Sequence, residues 1–231
     1  MRVAGLVAGA VATAVIAVGA IGYAVAEGGG PAGPADGSAA AGATAPALTV
    51  PDGGSADAGF ARDMAVHHQQ AVEMSYIVRD RTSDPEVRRL AYDIAQTQAN
   101  QRGMLLGWLD LWGLPKVSAG PPMAWMGMGG AASGAAGANG TDGADGALMP
   151  GMATDAQLKE LGRLRGRAAE VLYLRLMTAH HRGGIHMAQA CAAACAVGAE
   201  KRLAQGMVDA QQSEIDLMAD MLRKRGAATG S

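Results

Sequence analysis

The chain is poor in cysteine, in clustered basic residues and in alternating β-branched residues. Its 231 residues include only two cysteines, which excludes a disulfide framework as the main support of the fold. The net charge is −2 and the basic residues are scattered, so the charge pattern excludes a nucleic-acid-binding face. Because alternating apolar and polar β-branched runs are nearly absent, strands are not predicted, and the sequence indicates an all-α protein.

Histidine is also scarce, yet all five histidines lie in two motifs that repeat each other 113 residues apart. Each motif has a Met-x-x-His-His core followed by a further methionine. The residues are Met64, His67, His68 and Met74 in the first copy, and Met177, His180, His181 and Met187 in the second. Imidazole and thioether groups together are ligands that a soft metal such as copper prefers. The repeat therefore predicts a metal site shared by two related helical units.

The N-terminus predicts export or anchoring. Residues 3–26 carry no charge and are long enough, at a rise of about 1.5 Å per residue, to span a bilayer as a helix. The small residues Ala24, Val25 and Ala26 before Glu27 also fit a signal cleavage site. Residues 1–26 are thus a signal peptide or a transmembrane anchor, and the remainder is expected outside the cytoplasm.

Two stretches rich in glycine, alanine and small polar residues divide the rest of the chain. Residues 27–56 contain almost no large apolar side chain and are predicted to form a flexible linker. Residues 115–151 form a second such stretch inside the helical domain, which covers residues 57–224. Residues 225–231 form a short tail.

Helical periodicity and capping residues predict four long helices and one short one. The long helices cover about 57–80, 83–112, 167–196 and 200–224, and the short helix begins at Thr154. The second helix has two alternative caps, a Ser83…Glu86 box or Asp84 followed by Pro85. Short turns pair the long helices as two hairpins of the same kind, which predicts a four-helix bundle with a long central connection.

The histidines and methionines of each motif fall on one helical stripe, which we expect to face the bundle core. Asp57 and Glu170, also 113 residues apart, extend the stripe, and Glu214 lies on the facing side of the last helix. These three carboxylates are accessory ligand candidates, whereas His186 and Glu73 are predicted to point outwards. A methionine stripe is also typical of an ordinary core, but four buried imidazoles without a ligand or partners would be costly.

Other sulfur-bearing residues are further accessory candidates. The central connection carries Met123, Met126, Met128, Met149 and Met152. Because this segment has few other large apolar groups, its methionines are interpreted as Cu(I) ligands rather than packing residues, although incidental methionine in a linker is the alternative. Cys191 and Cys195 are four residues apart on a predicted helix, near the outer limit of disulfide geometry. Three alternatives stay open: oxidation to a disulfide outside the cytoplasm, thiolates added to the copper site, and ordinary buried small residues.

These motifs resemble the bacterial family known as domain of unknown function 305. The resemblance covers about residues 57–224. It rests on a unit that occurs twice: an acidic residue, an aromatic residue, Met-x-x-His-His, and a small residue three positions before a methionine. It also rests on a Gln-x-x-Glu-Ile motif in the helix that follows. The matching residues are Asp57, Phe60, Met64, His67, His68, Ala71 and Met74, then Glu170, Tyr173, Met177, His180, His181, Gly184 and Met187, with Gln211, Glu214 and Ile215 in the last helix. The first copy departs from the Gln-x-x-Glu-Ile motif, having Gln101 and Arg102 in place of Glu-Ile.

The resemblance implies a ferritin-like four-helix fold, export and, for some members, copper binding and copper tolerance. The sequence therefore favours a non-enzymatic, extracytoplasmic metal-binding protein that sequesters or passes on copper. One alternative is a metal-free bundle that binds another envelope protein. A second is a ferritin-like metal oxidase, which the absence of a Glu-x-x-His motif disfavours.

Overall fold

Five α-helices form the part of the chain that the computed structural model describes, residues 50–127 and 147–228. The helices are α1 Ala56–Arg79, α2 Pro85–Leu111, α3 Asp155–Arg163, α4 Gly166–Ala194 and α5 Gly198–Lys224. A short 3-10 turn, Ala124–Met126, lies between α2 and α3. These two ranges contain no β-strand, which confirms the all-α prediction for them.

Side-chain caps set the starts of α1, α2 and α3. At α2 the carboxylate of Asp84 accepts a hydrogen bond from the N–H of Val87 at 2.9 Å, and Pro85 occupies the first turn. Of the two predicted caps for this helix, the aspartate is therefore the one used. Thr154 and Gln157 form the predicted capping box of α3.

Two buried carboxylates, one from each hairpin, join the hairpins by binding the turn of the other hairpin. α1 packs along α2, α4 packs along α5, and the hairpins meet mainly through α1 and α4. The carboxylate of Asp57, at the start of α1, accepts hydrogen bonds from the N–H groups of Ala196 and Val197 at 2.7–3.1 Å. Glu170, its equivalent in the second copy, accepts one from the hydroxyl of Thr82 at 2.5 Å. Each hairpin thus anchors its first helix on the turn of the other, so α1 and α4 run antiparallel.

Two hydrophobic clusters form the core. One contains Met74, Leu90, Ile94, Tyr173, Met177 and Met218, and the other contains Phe60, Met64, Leu105, Met187, Cys191 and Met207. Each cluster therefore receives methionines from both repeats. The motif histidines lie between these methionines along α1 and α4.

Parts of the central connection pack on the bundle, although the sequence predicted a flexible linker there. Met123 and Met149 are almost fully buried in the cluster that contains Phe60. The side chain of Gln70 holds the backbone of Ala153 through two hydrogen bonds of 2.7 and 2.9 Å. The interpretation that the methionines of this segment are not needed for packing was therefore wrong for Met123 and Met149.

A second attachment of the connection involves Asp63. Its carboxylate accepts hydrogen bonds from the N–H of Met123 at 2.8 Å and from the indole N–H of Trp125 at 2.9 Å. The Trp125 ring lies directly over Gly59, where a Cβ would overlap it. A glycine in α1 thus provides the space for the ring.

No helix within residues 50–127 and 147–228 has the length and apolarity needed to cross a membrane. The predicted signal or anchor, residues 1–26, lies outside the described residues, as do most of the linker and Met128.

The close approach of the Pro150–Gly151 backbone to α4 generates a prediction. A Cβ on Gly183 would overlap the carbonyl group of Pro150. We expect Gly183→Ala to lower the free energy of unfolding by about 1–3 kcal/mol, the usual cost of overpacking. Gly206, on α5, has no atom within 4 Å of such a Cβ. Gly206→Ala should instead stabilise the protein by about 0.5–1 kcal/mol, because alanine is the better helix former.

Urea unfolding followed by circular dichroism measures both effects. Equal stability of the Gly183→Ala variant and the parent protein would contradict the close packing of the connection on α4.

Candidate metal centre

The four motif histidines meet in the core, where α1 crosses α4. His67, His68, His180 and His181 are each exposed by 1% or less. The ring centroids of His67 and His180 are 3.8 Å apart, and those of His180 and His181 are 6.3 Å apart. The prediction that both stripes face a shared interior is confirmed for the histidines. His186 and Glu73 are exposed, as predicted.

Three of the four imidazoles use their Nε2 atom in a hydrogen bond. His180 Nε2 lies 3.0 Å from the backbone carbonyl oxygen of His67, and His67 Nε2 lies 3.3 Å from that of Pro150. His181 Nε2 lies 2.6 Å from a carboxylate oxygen of Glu214. Because these oxygens can only accept, each Nε2 must carry the proton and donate. A neutral ring in this tautomer holds a free lone pair on Nδ1.

These Nδ1 atoms are buried and have no hydrogen-bond partner among the described residues. For His68 the same is true of both ring nitrogens. The Gln101 side chain is close to His68, but no hydrogen bond of ordinary geometry joins them. Unpartnered buried nitrogens carry a desolvation cost that a bound cation would remove.

Burial also keeps the imidazoles of His67, His68 and His180 neutral. It lowers the pKa of His67 to about 4 and that of His68 to about 3, because a buried imidazolium loses its hydration. Burial, followed by repulsion from His67, lowers the pKa of His180 well below its ordinary value. At neutral pH all three rings are therefore able to accept a metal ion without first losing a proton.

The repeated methionines flank the histidines on both sides. Met64, Met74, Met177 and Met187 are all fully buried. Met64 and Met187 belong to one hydrophobic cluster, and Met74 and Met177 to the other. Thioether sulfur is thus present on each side of the imidazoles.

The two copies differ in the polar residues that face the histidines from α2 and α5. His68 and His181 are equivalent, and so are their neighbours Gln101 and Glu214. Only the second copy therefore supplies a carboxylate, as the Gln-x-x-Glu-Ile motif predicted. Gln211 reaches α4 at Gly184, where a Cβ would lie 2.5 Å from its Oε1 atom. The small residue Gly184 leaves room for the carboxamide of Gln211, and the close backbone contact with Pro150 occurs at the preceding residue, Gly183.

The accessory carboxylates Asp57 and Glu170 have other partners. Asp57 caps the turn that precedes α5, as described above. Glu170 accepts hydrogen bonds from Thr82 and, at 2.7 Å, from the guanidinium of Arg225, which is itself buried. Both carboxylates stabilise contacts between the hairpins at the ends of the bundle. The sequence showed their equivalence but not their partners, because those partners lie in turns.

Cys191 and Cys195 form a disulfide, with Cα atoms 4.8 Å apart. The third long helix was predicted to continue through both cysteines, and this was wrong. α4 ends at Ala194, and Cys195 is its C-cap residue, with a ψ of 145° that turns the following chain away from the helix. In the oxidised state neither cysteine offers a thiolate.

Three histidine nitrogens do not lie close enough together to hold one ion within residues 50–127 and 147–228. A single ion in this region would therefore combine imidazole nitrogen with thioether sulfur, or the side chains would turn on binding. Of the accessory methionines, Met123 and Met149 are buried, whereas Met126 and Met152 are partly buried beside them.

Solved structures of other proteins have folds similar to that of this chain. A DUF305 protein of Streptomyces coelicolor, designated a secreted protein, is 67% identical, with a TM-score of 0.69; the match covers 78% of this chain and 99% of that one. A DUF305 fragment from Deinococcus radiodurans is 28% identical, with a TM-score of 0.57 and coverage of 73% and 96%.

The fold also matches CopM. Its Cu(I)-bound form is 19% identical, with a TM-score of 0.53 and coverage of 73% of this chain and 96% of CopM. Its Cu(II)-bound form is 22% identical, with the same TM-score of 0.53 and coverage of 74% and 97%. At this identity the likeness shows the fold alone. No protein of curated function matches the chain significantly.

The family comparison covers the whole bundle. The model for the domain of unknown function DUF305 matches residues 57–222, which include both histidine motifs. The chain therefore belongs to the DUF305 family.

Proposed function

We propose that this protein binds copper outside the cytoplasm through the histidines and methionines of its two repeated motifs, and that it sequesters the ion or passes it on. The observation that carries the proposal is the set of buried Nδ1 atoms of His67, His180 and His181. Each of these rings donates its opposite N–H to a fixed acceptor and leaves Nδ1 without a partner.

This hydrogen-bond pattern is typical of metal-binding histidine. A ligating imidazole usually donates its other N–H to a carboxylate or a backbone carbonyl, which fixes the tautomer and raises the basicity of the ligand nitrogen. Glu214 would play this part for His181, and the carbonyl oxygens of Pro150 and His67 would do so for His67 and His180. A histidine that only packs in the core does not require a fixed Nε2–H with a free Nδ1, and here three rings share this arrangement.

The donor types favour copper over harder ions. Cu(I) takes few ligands and prefers thioether and imidazole, which Met64, Met74, Met177 and Met187 would supply together with the histidines. Met123, Met126, Met149 and Met152, with Met128 from the segment between them, would form an accessory capture route. The backbone of this route already reaches the site, because Pro150 accepts from His67.

The names of related proteins also support copper binding and export. CopM, which shares the fold, has been solved with Cu(I), Cu(II) and silver, and the Streptomyces coelicolor relative is designated secreted. From these names we infer that the present chain is also exported. Residues 1–26 would serve as a cleaved signal or as a membrane anchor. We also assign its two hairpins to the ferritin-like type of four-helix bundle.

The two alternative functions, a metal oxidase and a metal-free interaction module, require different groups in the core. A ferritin-like oxidase needs several carboxylates at the metal, but Asp57 and Glu170 are engaged at the ends of the bundle. A metal-free interaction module would leave the Nδ1 atoms buried without compensation. Copper titration separates the proposal from both alternatives.

Copper titration of histidine variants is the principal test. In competition with a chromophoric Cu(I) chelator, we expect His67→Ala, His180→Ala and His181→Ala each to weaken Cu(I) binding by about 100-fold or more. This exceeds the usual effect of removing only a supporting group. The matched control is His186→Ala, which removes the exposed fifth histidine and should change nothing. Circular dichroism confirms that each variant remains helical. Unchanged stoichiometry and affinity in the three core variants would overturn the ligand assignment.

Methionine variants test the thioethers separately. Met64→Leu and Met177→Leu conserve core volume, so stability should change by less than about 1.5 kcal/mol. We expect each to weaken Cu(I) binding by about tenfold or more and Cu(II) binding less, because Cu(II) depends less on soft sulfur. Met104→Leu on α2, where the side chain is 42% exposed, is the control. If both core variants bind Cu(I) as tightly as the control does, the thioethers are packing residues only.

The neutral histidines also predict a pH dependence of stability. An unfolded histidine has a pKa of about 6.5, whereas burial lowers the pKa of His67 to about 4 and that of His68 to about 3. Protons taken up below pH 6.5 therefore favour the unfolded chain, and stability falls as the pH falls towards these lowered values. Between pH 7 and pH 5 the loss should be about 2 kcal/mol for each such histidine.

Urea unfolding of the metal-free protein at pH 7, 6 and 5 measures this slope. His68→Gln should reduce the slope by about the share of one histidine, and His186→Ala should leave it unchanged. A stability that does not vary over this range would show that the imidazoles are not held neutral by burial.

A further inference from the structure

A second buried cluster of potential ligands lies at the turn between α4 and α5. It contains Cys191, Cys195 and Glu200, whose ligand atoms all lie within 4.8 Å of one another. Cys191 and Glu200 are fully buried and Cys195 is 3% exposed. The backbone around Cys195 is close to solvent, because Ala194 and Ala196 on either side are exposed.

Glu200 does not serve as an ordinary helix cap. It is the third residue of α5, a position from which a glutamate usually reaches back to the N–H of the cap residue. Here Asp57 accepts from the N–H of that residue, Val197, at 2.7 Å. The carboxyl of Glu200 instead turns into the core beside the carboxylate of Asp57, and no N–H group of the described residues donates to it. Burial, followed by repulsion from Asp57, raises the pKa of Glu200 to about 9.

The internal repeat shows that the fold does not require these three side chains. At the equivalent positions of the first hairpin stand Val78, Thr82 and Val87, and both valines are fully buried. The first hairpin therefore packs its turn end with valine at the positions of Cys191 and Glu200. A buried carboxyl held beside a second carboxylate costs stability that valine would not cost, and a bound cation would offset that cost.

We propose that reduction of the Cys191–Cys195 disulfide opens a buried site in which two cysteine thiolates and the Glu200 carboxylate bind a divalent d10 cation such as Zn²⁺. The proposal concerns the end of the bundle at the α4–α5 turn and does not rest on copper binding by the histidines.

The chemistry of the site balances in two steps. A dithiol reductant transfers two electrons and two protons to the disulfide, and it becomes a disulfide itself while Cys191 and Cys195 become thiols. The incoming cation then displaces one proton from each thiol and the proton, where present, from the carboxyl of Glu200. The cation compensates the negative charge that these groups could not hold while buried.

The donor set and the spacing suit zinc. Cysteine sulfur and carboxylate oxygen are common zinc ligands, and a tetrahedral site with bonds of about 2.0–2.3 Å places neighbouring donors roughly 3.5–4 Å apart. The present spread of up to 4.8 Å needs only small side-chain shifts once the sulfur–sulfur bond is broken. In the oxidised state the sulfurs are bonded to each other, so the site is closed by the disulfide.

Cadmium titration of the full-length protein tests the site, because thiolate–cadmium bonds give an ultraviolet charge-transfer absorption that histidine and methionine do not. The protein is reduced with a water-soluble phosphine, desalted under nitrogen and titrated with Cd²⁺. We expect the absorption to rise and saturate at about one Cd²⁺ per chain. The oxidised protein and the double variant Cys191→Ser/Cys195→Ser should show no rise.

Variants of Glu200 test the third ligand. Glu200→Gln keeps the shape of the side chain, and Glu200→Val introduces the residue of the first hairpin. Both should keep the thiolate absorption at saturation but bind Cd²⁺ at least about tenfold more weakly. Glu86→Gln, at an exposed glutamate, is the matched control and should bind as the parent protein does.

Three results would overturn the proposal. One is a reduced parent protein that shows no thiolate absorption with Cd²⁺. Another is equal affinity in the parent protein and the Glu200 variants, which would exclude the carboxylate as a ligand. The third is loss of helicity on reduction, measured by circular dichroism, which would show that the disulfide is needed to hold the fold.

Discussion

The hydrogen bonds on the Nε2 side of the core histidines determine what the bundle interior can do. They join the two hairpins directly, because His180 of α4 donates to the backbone carbonyl of His67 in α1. They also leave the Nδ1 lone pairs buried and unused. The same contacts that position α1 against α4 thus create unsatisfied donor atoms for a cation. Packing and binding capacity arise from one set of interactions in this fold.

The two copies share the carboxylates that join the hairpins, but they differ in the polar residues beside the histidines. Asp57 and Glu170 occupy equivalent positions, and each ties its own hairpin to the turn of the other. The polar neighbours then diverge, with Gln101 beside His68 and Glu214 beside His181. A carboxylate paired with imidazole raises ligand basicity more than a carboxamide does. The second hairpin is therefore the more strongly electron-donating half of the site.

The sequence was sufficient for those features that depend on regular helical spacing. The repeated Met-x-x-His-His pattern indicated which faces of α1 and α4 point inwards, because helical position fixes the direction of a side chain. It could not indicate partners supplied by irregular backbone, such as the carbonyl of Pro150 or the N–H groups that Asp57 caps. Nor did it reveal that α4 ends before Cys195, since an alanine-rich segment has no strong stop signal.

Because the donor atoms come from both hairpins, the candidate copper site exists only when the hairpins are docked. Separating α1 from α4 would remove the acceptor of His180 and disperse the imidazoles. Any cation that binds the docked state preferentially must therefore stabilise it, by about 2.7 kcal/mol when its free concentration is 100 times the dissociation constant. Such linkage would offset part of the cost of burying four imidazoles whose Nδ1 atoms have no hydrogen-bond partner among the described residues. Under the proposed function, the unpaired nitrogens would be retained because the stability of the metal-bound state, rather than that of the metal-free state, is what matters.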